Sequence, residues 1–266
     1  MAAQRPRALV TGGSSGIGLE LVKLFAADGY DVVVAADGEG VHGVAEAVSD
    51  SGVDIQPVQV DLRDPDGVER LYRVATSDGR ALDAAALNAG TARAGPFVTG
   101  PLDDDLGVVD LNVRSTVHLA KLVLADMAAR GSGRVLITSS IVAAMPGSQN
   151  SMYNASKSFL QSFATAVHDE LRDTGVTVTA LAPGPVDTDF FRRTGMLDTV
   201  LGRLPGKDDP RQVAEQGYRA MMRGEARVVA ASPLSKATAL ANSVLPDSVK
   251  ATANRLIMTP LDKRAR

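Results

Sequence analysis

Tyr153 and Lys157 stand four residues apart, a spacing that puts both side chains on one face of a helix. A phenol has a pKa of ~10 in water and exchanges protons poorly at neutral pH, whereas an ammonium beside it stabilises the phenolate and brings it into range. On a solvated helix such a pair is an ordinary coincidence, so its neighbours decide its meaning. Ser139-Ser140 close an apolar run at 134–138, and Asn88-Ala89-Gly90 close another at 82–87. Asn112 falls inside a helix-period segment, where an amide is a weak helix former. If both runs are strands of one parallel sheet, their ends share its carboxyl edge, where open α/β sheets hold ligands. A hydroxyl, a phenol and an ammonium gathered there would suit proton exchange with a substrate oxygen.

A second constellation opens the chain. Residues 11–18 read Thr-Gly-Gly-Ser-Ser-Gly-Ile-Gly between an apolar run and a helix-period segment. Glycine lets the backbone turn and approach a phosphate, and free N–H groups with the helix dipole favour a pyrophosphate. The candidates are Gly12, Ser14, Ser15, Gly16, Ile17 and Gly18, in the spacing Gly-x3-Gly-x-Gly rather than the shorter G-x-G-x-x-G. Asp37 ends the second run, nineteen residues beyond Gly18. A carboxylate there accepts hydrogen bonds from the ribose hydroxyls of a dinucleotide and repels a 2′-phosphate. Ala36, Gly38 and Ser15 offer no cation for that phosphate, so NAD is expected, with NADP as the second possibility. The same loop satisfies G-x-S-x-G at Ser14, the nucleophile elbow of a hydrolase. Of the three histidines, His118 and His168 fall inside predicted helices, and an elbow on the first strand is unusual, so hydrolysis is the minor reading.

These groups need rigid supports. Short β-branched runs alternate with helix-period segments from end to end, which predicts a doubly wound parallel α/β sheet of about seven strands with helices on both faces, a single Rossmann-type domain over 1–266. Strands are expected at 8–11, 32–36, 55–60, 82–87, 134–138, 176–181 and 227–231. Helices are expected after Gly16, through 68–75, at 104–130 and 152–174, and from Pro210, a residue suited to the first helical position. Residues 187–209 carry Phe190, Phe191, Met196 and Leu197 among Gly195 and Gly202 and are longer than an ordinary connection; they read as a mobile substrate lid. The Ala-rich tail at 232–266 is helix-prone. Lys plus Arg number 28 against 31 Asp plus Glu, a net charge of -3, which leaves no basic surplus for nucleic acid. The absence of cysteine excludes disulfides, thiolate metal sites and a cysteine nucleophile, and no metal is expected. With neither a signal-peptide core nor a run of about 18 apolar residues, the expectation is no membrane partner and a cytoplasmic address.

In chain order, Thr11-Gly12-x3-Gly16-Ile17-Gly18, Asp61-Leu62, Asn88-Ala89-Gly90, Asn112, Ser140, Tyr153-x3-Lys157 and the run from Pro183 through Gly184, Val186 and Thr188 resemble the motif set of the short-chain dehydrogenase/reductase family over about residues 6–231. The resemblance implies hydride transfer between a nicotinamide cofactor and a small-molecule ketone or secondary alcohol. It makes Tyr153 the general acid/base, with Ser140, thirteen residues ahead, bonding the same substrate oxygen and Ser139 a strand-end neighbour. By the same resemblance Lys157 holds the nicotinamide ribose and lowers the Tyr153 pKa, and Asn112 anchors a water relay behind it. Asp61 would contact adenine, Asn88 would support the cofactor edge, and Val186 with Thr188 would fix the carboxamide. Leu62, Ala89, Gly90, Pro183 and Gly184 complete the implied cofactor-binding set. The apolar residues Met145, Phe190, Phe191, Met196 and Leu197 suggest a neutral, apolar substrate. The competing reading is a cofactor-binding regulatory protein with a vestigial site. Family members pair two helices across a two-fold axis, so a homodimer is expected, or a homotetramer, although the glycine-rich ending that completes many family tetramers is missing.

Overall fold

Val32, Val34 and Ala36 enter one apolar cluster while Val33 and Ala35 enter another, because successive side chains of a strand point to opposite faces. A strand that is apolar at every position is stable only where both faces are covered. β2 (Asp31–Ala36) and β4 (Ala84–Leu87) are buried throughout, whereas β3 (Ile55–Gln59) and β7 (Arg227–Ala230) each keep an exposed residue; with β1 (Arg7–Thr11), β5 (Gly133–Thr138) and β6 (Val176–Pro183) the described residues hold seven strands. In the computed structural model, which describes residues 4–233, 235–237 and 245–259, they form one sheet in the order β3-β2-β1-β4-β5-β6-β7. Every pairing is parallel, as a doubly wound sheet requires. The chain runs outward from β1 to β3 and then returns to set β4 against β1, with Ala8 opposite Ala84 and Val10 opposite Ala86. The winding reverses there, which opens a crevice at the carboxyl ends of β1 and β4.

The helices are α1 (Gly16–Ala27), α2 (Pro65–Ala75), α3 (Leu102–Val109), α4 (Ser115–Arg130), α5 (Ser151–Glu170), α6 (Phe190–Arg193), α7 (Val200–Arg203), α8 (Pro210–Met222) and α9 (Asp247–Met258). One face of the sheet is covered by α1 and α8, where Phe25 meets Tyr218 edge-on at 5.0 Å. The other is covered by α2, α4 and α5 through Leu71, Leu119, Met127 and Leu160. Asp64 and Asp209 cap α2 and α8 by accepting from the N–H groups of Asp66 and Arg211, each ahead of a proline in the first turn. Each such cap contributes about 1 kcal/mol. Among the described residues, no helix is long and apolar enough to cross a membrane.

Three expectations shift in detail. The helix predicted at 104–130 begins at Leu102 and passes through a π-helical turn, Asp110–Arg114. The helix predicted to 174 ends at Glu170, and residues 171–175 turn with Gly175 at φ +76°. The segment 187–209 has structure of its own: it forms α6 and α7, its base pairs in a parallel bridge between Val186 and Asp208, and Phe191, Met196 and Thr199 are buried. Gly202 lets the chain approach itself closely, since a Cβ there would stand 2.0 Å from the Met196 carbonyl oxygen. Of the expected helical tail, residues 234, 238–244 and 260–266 lie outside the described residues.

Candidate active site

The turn between β1 and α1 is shaped by close approach. Gly12 and Gly16 have φ of +64° and +54°, and a Cβ on Gly18 would lie 2.0 Å from the Gly12 carbonyl oxygen. Ser15 stands at the N-cap of α1 with its side chain making no capping bond, and the first turn holds no acidic residue. The helix therefore presents unspent N–H groups and the positive end of its dipole to the crevice, a fit for a dinucleotide's pyrophosphate. Asn88 fixes the floor. Its Nδ2 donates to the carbonyls of Thr11 and Gly12 at 3.3 and 3.4 Å, and its Oδ1 accepts from Thr138 Oγ1 at 3.1 Å. The Thr11 hydroxyl oxygen accepts from the N–H groups of Asn88 and Ala89 at 3.0 and 3.1 Å. The carboxyl ends of β1, β4 and β5 are thereby joined.

At the far end of the crevice Asp37 is exposed at the end of β2. Asp61 is gripped by Arg63, whose Nε and Nη2 donate to it at 3.0 and 2.7 Å. Those hydrogen bonds hold the Asp61 carboxyl below its usual range. The Asp37 charge acts on the same guanidinium. Leu62 points into the core, so only its backbone faces the cofactor edge. Arg193, at the end of α6, donates from Nη2 to Ser15 Oγ at 3.4 Å. Arg63 and Arg193 are the cations that reading Ala36, Gly38 and Ser15 alone leaves out; nothing in the local sequence says that a residue 178 positions away reaches the glycine turn.

The groups for proton transfer meet at the ends of β5 and β6. Ser139 spends its hydroxyl on the Lys157 carbonyl at 2.9 Å. The Ser140 hydroxyl accepts from the Val142 N–H at 3.3 Å and donates to the Pro183 carbonyl at 3.5 Å, on the side of the site where it acts on the Tyr153 phenol. Burial pushes the Tyr153 phenol up to about 12, with the Ser140 hydroxyl pulling the other way, and burial brings the Lys157 ammonium down to about 8. Lys157 Nζ donates to the Thr138 carbonyl at 2.8 Å and sits 5.7 Å from the centre of the Tyr153 ring. The ammonium of Lys157 faces the Tyr153 ring, and the upward push on the phenol comes from burial.

Asn112 sits on the π-helical turn and is fully buried. Its Oδ1 accepts from the Thr91 N–H at 2.8 Å, while its Nδ2 donates to the Thr91 carbonyl at 2.9 Å and to Ser156 Oγ at 2.9 Å. It clamps the strand end after Gly90 to α5. A Cβ on Gly90 would lie 3.2 Å from Asn112 Oδ1 and 3.3 Å from Lys157 Nζ, so glycine there keeps the space between them open. Single inserted π turns often mark functional positions.

Across the crevice, Pro183 ends β6, and Gly184 approaches so closely that a Cβ would lie 2.4 Å from Asp208 Oδ2. Thr188 packs its methyl against Gly16 and accepts the Phe190 N–H at 3.3 Å. Beyond it, Ala92, Phe191, Met196 and Met258 form a small buried apolar cluster against Tyr153 and Phe190. The three histidines are engaged elsewhere, with Gln59, Glu69 and the Val178 carbonyl, so Ser14 has no triad partner among them.

The sequence model of the short chain dehydrogenase family matches residues 6–196. A short chain dehydrogenase of Pseudocercospora fijiensis is 34% identical over 200 residues, a match covering 74% of this chain and 65%, just under two thirds, of that protein. The 1-deoxy-11-beta-hydroxypentalenate dehydrogenase of Streptomyces exfoliatus is 36% identical over 71% of this chain and 70% of its own. Among solved structures, a short-chain dehydrogenase from Sphingobium yanoikuyae in complex with NADPH superposes with a TM-score of 0.80 at 26% identity, covering 90% of this chain and 93% of its own. A variant of the actinorhodin polyketide ketoreductase with NADPH gives 0.78 at 28% identity over 88% and 99%.

Proposed function

This chain belongs to the short chain dehydrogenase family, and from that premise we propose that it is an oxidoreductase moving a hydride between a nicotinamide dinucleotide and a ketone or secondary alcohol with neutral, apolar substituents. The observation that carries the reading is the convergence of Ser140, Tyr153 and the buried Lys157 at the sheet edge where the N-terminus of α1 stands open. When bound, the nicotinamide supplies the hydride. Tyr153 gives its proton to the substrate oxygen in reduction and takes one in oxidation, and Ser140 holds that oxygen by a hydrogen bond from Oγ. Lys157 reaches the ribose and keeps positive charge beside the phenol, while Asn112 fixes the strand end against which both act. A neutral substrate is favoured because the arginines of α6 turn away from the apolar cluster: Arg192 pairs with Asp189 and Arg193 reaches Ser15.

Cofactor choice is a balance of charges at the ribose edge. Asp37 opposes a 2′-phosphate, while Arg63 lies within reach of the Asp37 charge and Arg193 reaches the glycine turn at Ser15; the relatives solved with NADPH weigh on the side of the phosphorylated cofactor, against an expectation of NAD from Asp37 alone. The chain is therefore expected to accept both, with dissociation constants within about an order of magnitude. Isothermal titration should find Asp37→Ala shifting the ratio toward NADPH and Arg63→Ala shifting it toward NADH; a ratio insensitive to both would place the discrimination elsewhere. For the chemistry itself, Tyr153→Phe should bind cofactor normally and lose turnover of ketones by a factor on the order of 10² to 10⁴. Near-normal activity of that variant, or an inert wild type toward a broad ketone panel, would sink the reading.

A further inference from the structure

Arg193 closes α6 with its backbone N–H on the Asp189 carbonyl at 2.9 Å. Its neighbour Arg192 turns back along the helix and pairs with Asp189. Arg193 instead leaves the helix for the glycine turn, where Nη2 donates to Ser15 Oγ at 3.4 Å. Among the described residues, that is the one hydrogen bond its side chain makes, and it enters no ion pair. A guanidinium carries five N–H donors, so most of its capacity lies beyond that bond. The place it reaches is already positive. Ser15 is the N-cap of α1, its hydroxyl caps no N–H, and the first turn holds no acidic residue. The positive end of the helix dipole is therefore not offset locally, and a cation set against it is electrostatically unfavourable. An oxyanion between the two relieves both. The walls that carry them meet nearby, where a Cβ on Gly16 would lie 2.9 Å from Thr188 Cγ2.

Resting on the dinucleotide reading above, we infer that Arg193 is a further cofactor-binding residue, gripping the pyrophosphate from the wall opposite the α1 N-terminus. A guanidinium fork matches two phosphate oxygens at once, while the free N–H groups of α1 take the others. The anion thereby joins α6 to α1 across the crevice. Because the pyrophosphate is common to NADH and NADPH, Arg193 serves both alike, and the choice between them falls to Asp37 and Arg63.

Isothermal titration of the full chain with NADH, NADPH and ADP-ribose tests this, since ADP-ribose keeps the pyrophosphate and lacks both the nicotinamide and the 2′-phosphate. Arg193 is exposed, so its truncation spares the fold. Arg193→Ala should weaken all three by a similar factor, about tenfold or more. Arg193→Lys should recover part of the loss, and Arg192→Ala should change none of the three by more than about twofold. Added salt should narrow the gap between wild type and Arg193→Ala. Affinities for NADH and ADP-ribose unchanged within about twofold in Arg193→Ala overturn the inference. So does a loss confined to NADPH, which would put the guanidinium at the 2′-phosphate, or an equal loss in Arg192→Ala. A chain that shows the expected losses in binding and yet turns over no ketone keeps Arg193 as a pyrophosphate ligand and defeats the oxidoreductase reading instead.

Discussion

Burial moves the two ionisable groups of the site in opposite senses, Tyr153 up to about 12 and Lys157 down to about 8. The phenol is in its acid form throughout the neutral range, prepared to give a proton to a carbonyl oxygen. Taking a proton from an alcohol needs phenolate, whose fraction rises about tenfold per pH unit until the phenol's pKa is reached. Ketone reduction is therefore expected to be level below about pH 8 and to fall above it as Lys157 loses its charge, while alcohol oxidation climbs with pH. Rate profiles in both directions check this, and a reduction rate unchanged to about pH 10 would contradict it. Stability carries its own sign. The unfolded chain holds the Lys157 proton up to its ordinary 10.5, so between about 8 and 10.5 it binds more protons than the folded chain, and this group's contribution to stability rises with pH there. The spacing of Tyr153 and Lys157 was readable because it is local, but the apolar cluster against Tyr153 includes Phe190, Phe191 and Met258, which lie far along the chain.

Among elements, the segment carrying α6 and α7 is tied at its base by one residue, Asp208, through its main chain and its carboxylate. Asp208 Oδ1 accepts from the Ser232 N–H at 3.0 Å, its N–H donates to the Pro185 carbonyl at 2.7 Å, and its carbonyl accepts from the Asp187 N–H at 2.9 Å. It ties the end of β7 to the run from Pro183 to Thr188. Asp208→Ala is expected to cost about 1–3 kcal/mol and to weaken cofactor binding through the loosened Gly184 and Thr188. Urea unfolding and titration measure the two effects, and an unchanged urea midpoint would contradict the first. Strands with unbroken apolar runs, such as residues 32–36 and Ala84–Leu87, were legible from composition because both their faces are covered. The packing of 187–209 was not, since the cover for Phe191 and Met196 includes Met258, on a helix whose inward stripe begins with a lysine. A polar residue facing inward reverses the hydropathy pattern on which such readings depend. The π turn at Asn112 is similarly silent, because one inserted residue changes no composition.

For the whole molecule, the outer faces of α4 and α5 are where a second copy is expected to pack. Phe159 is 43% exposed and stacks on Phe163 at 5.9 Å, an apolar pair that costs free energy in water. Val123 and Met127 of α4 are buried in the core, so the exposed aromatic pair belongs to α5. Light scattering should report a dimer at micromolar concentration and a monomer for Phe159→Asp; a monomeric wild type would contradict the pairing. The strand order has a further consequence, for synthesis. β1 lies between β2 and β4, and β4 begins only at Ala84, so on the ribosome β1 to β3 emerge with one flank of β1 unpaired. At about 5–20 residues per second, that flank waits roughly 4–15 seconds for its neighbour after Thr11 has been made. An apolar strand with an open edge invites pairing with another chain, so a nascent chain stalled before Ala84 should be the species that chaperones hold and that aggregates when they are depleted.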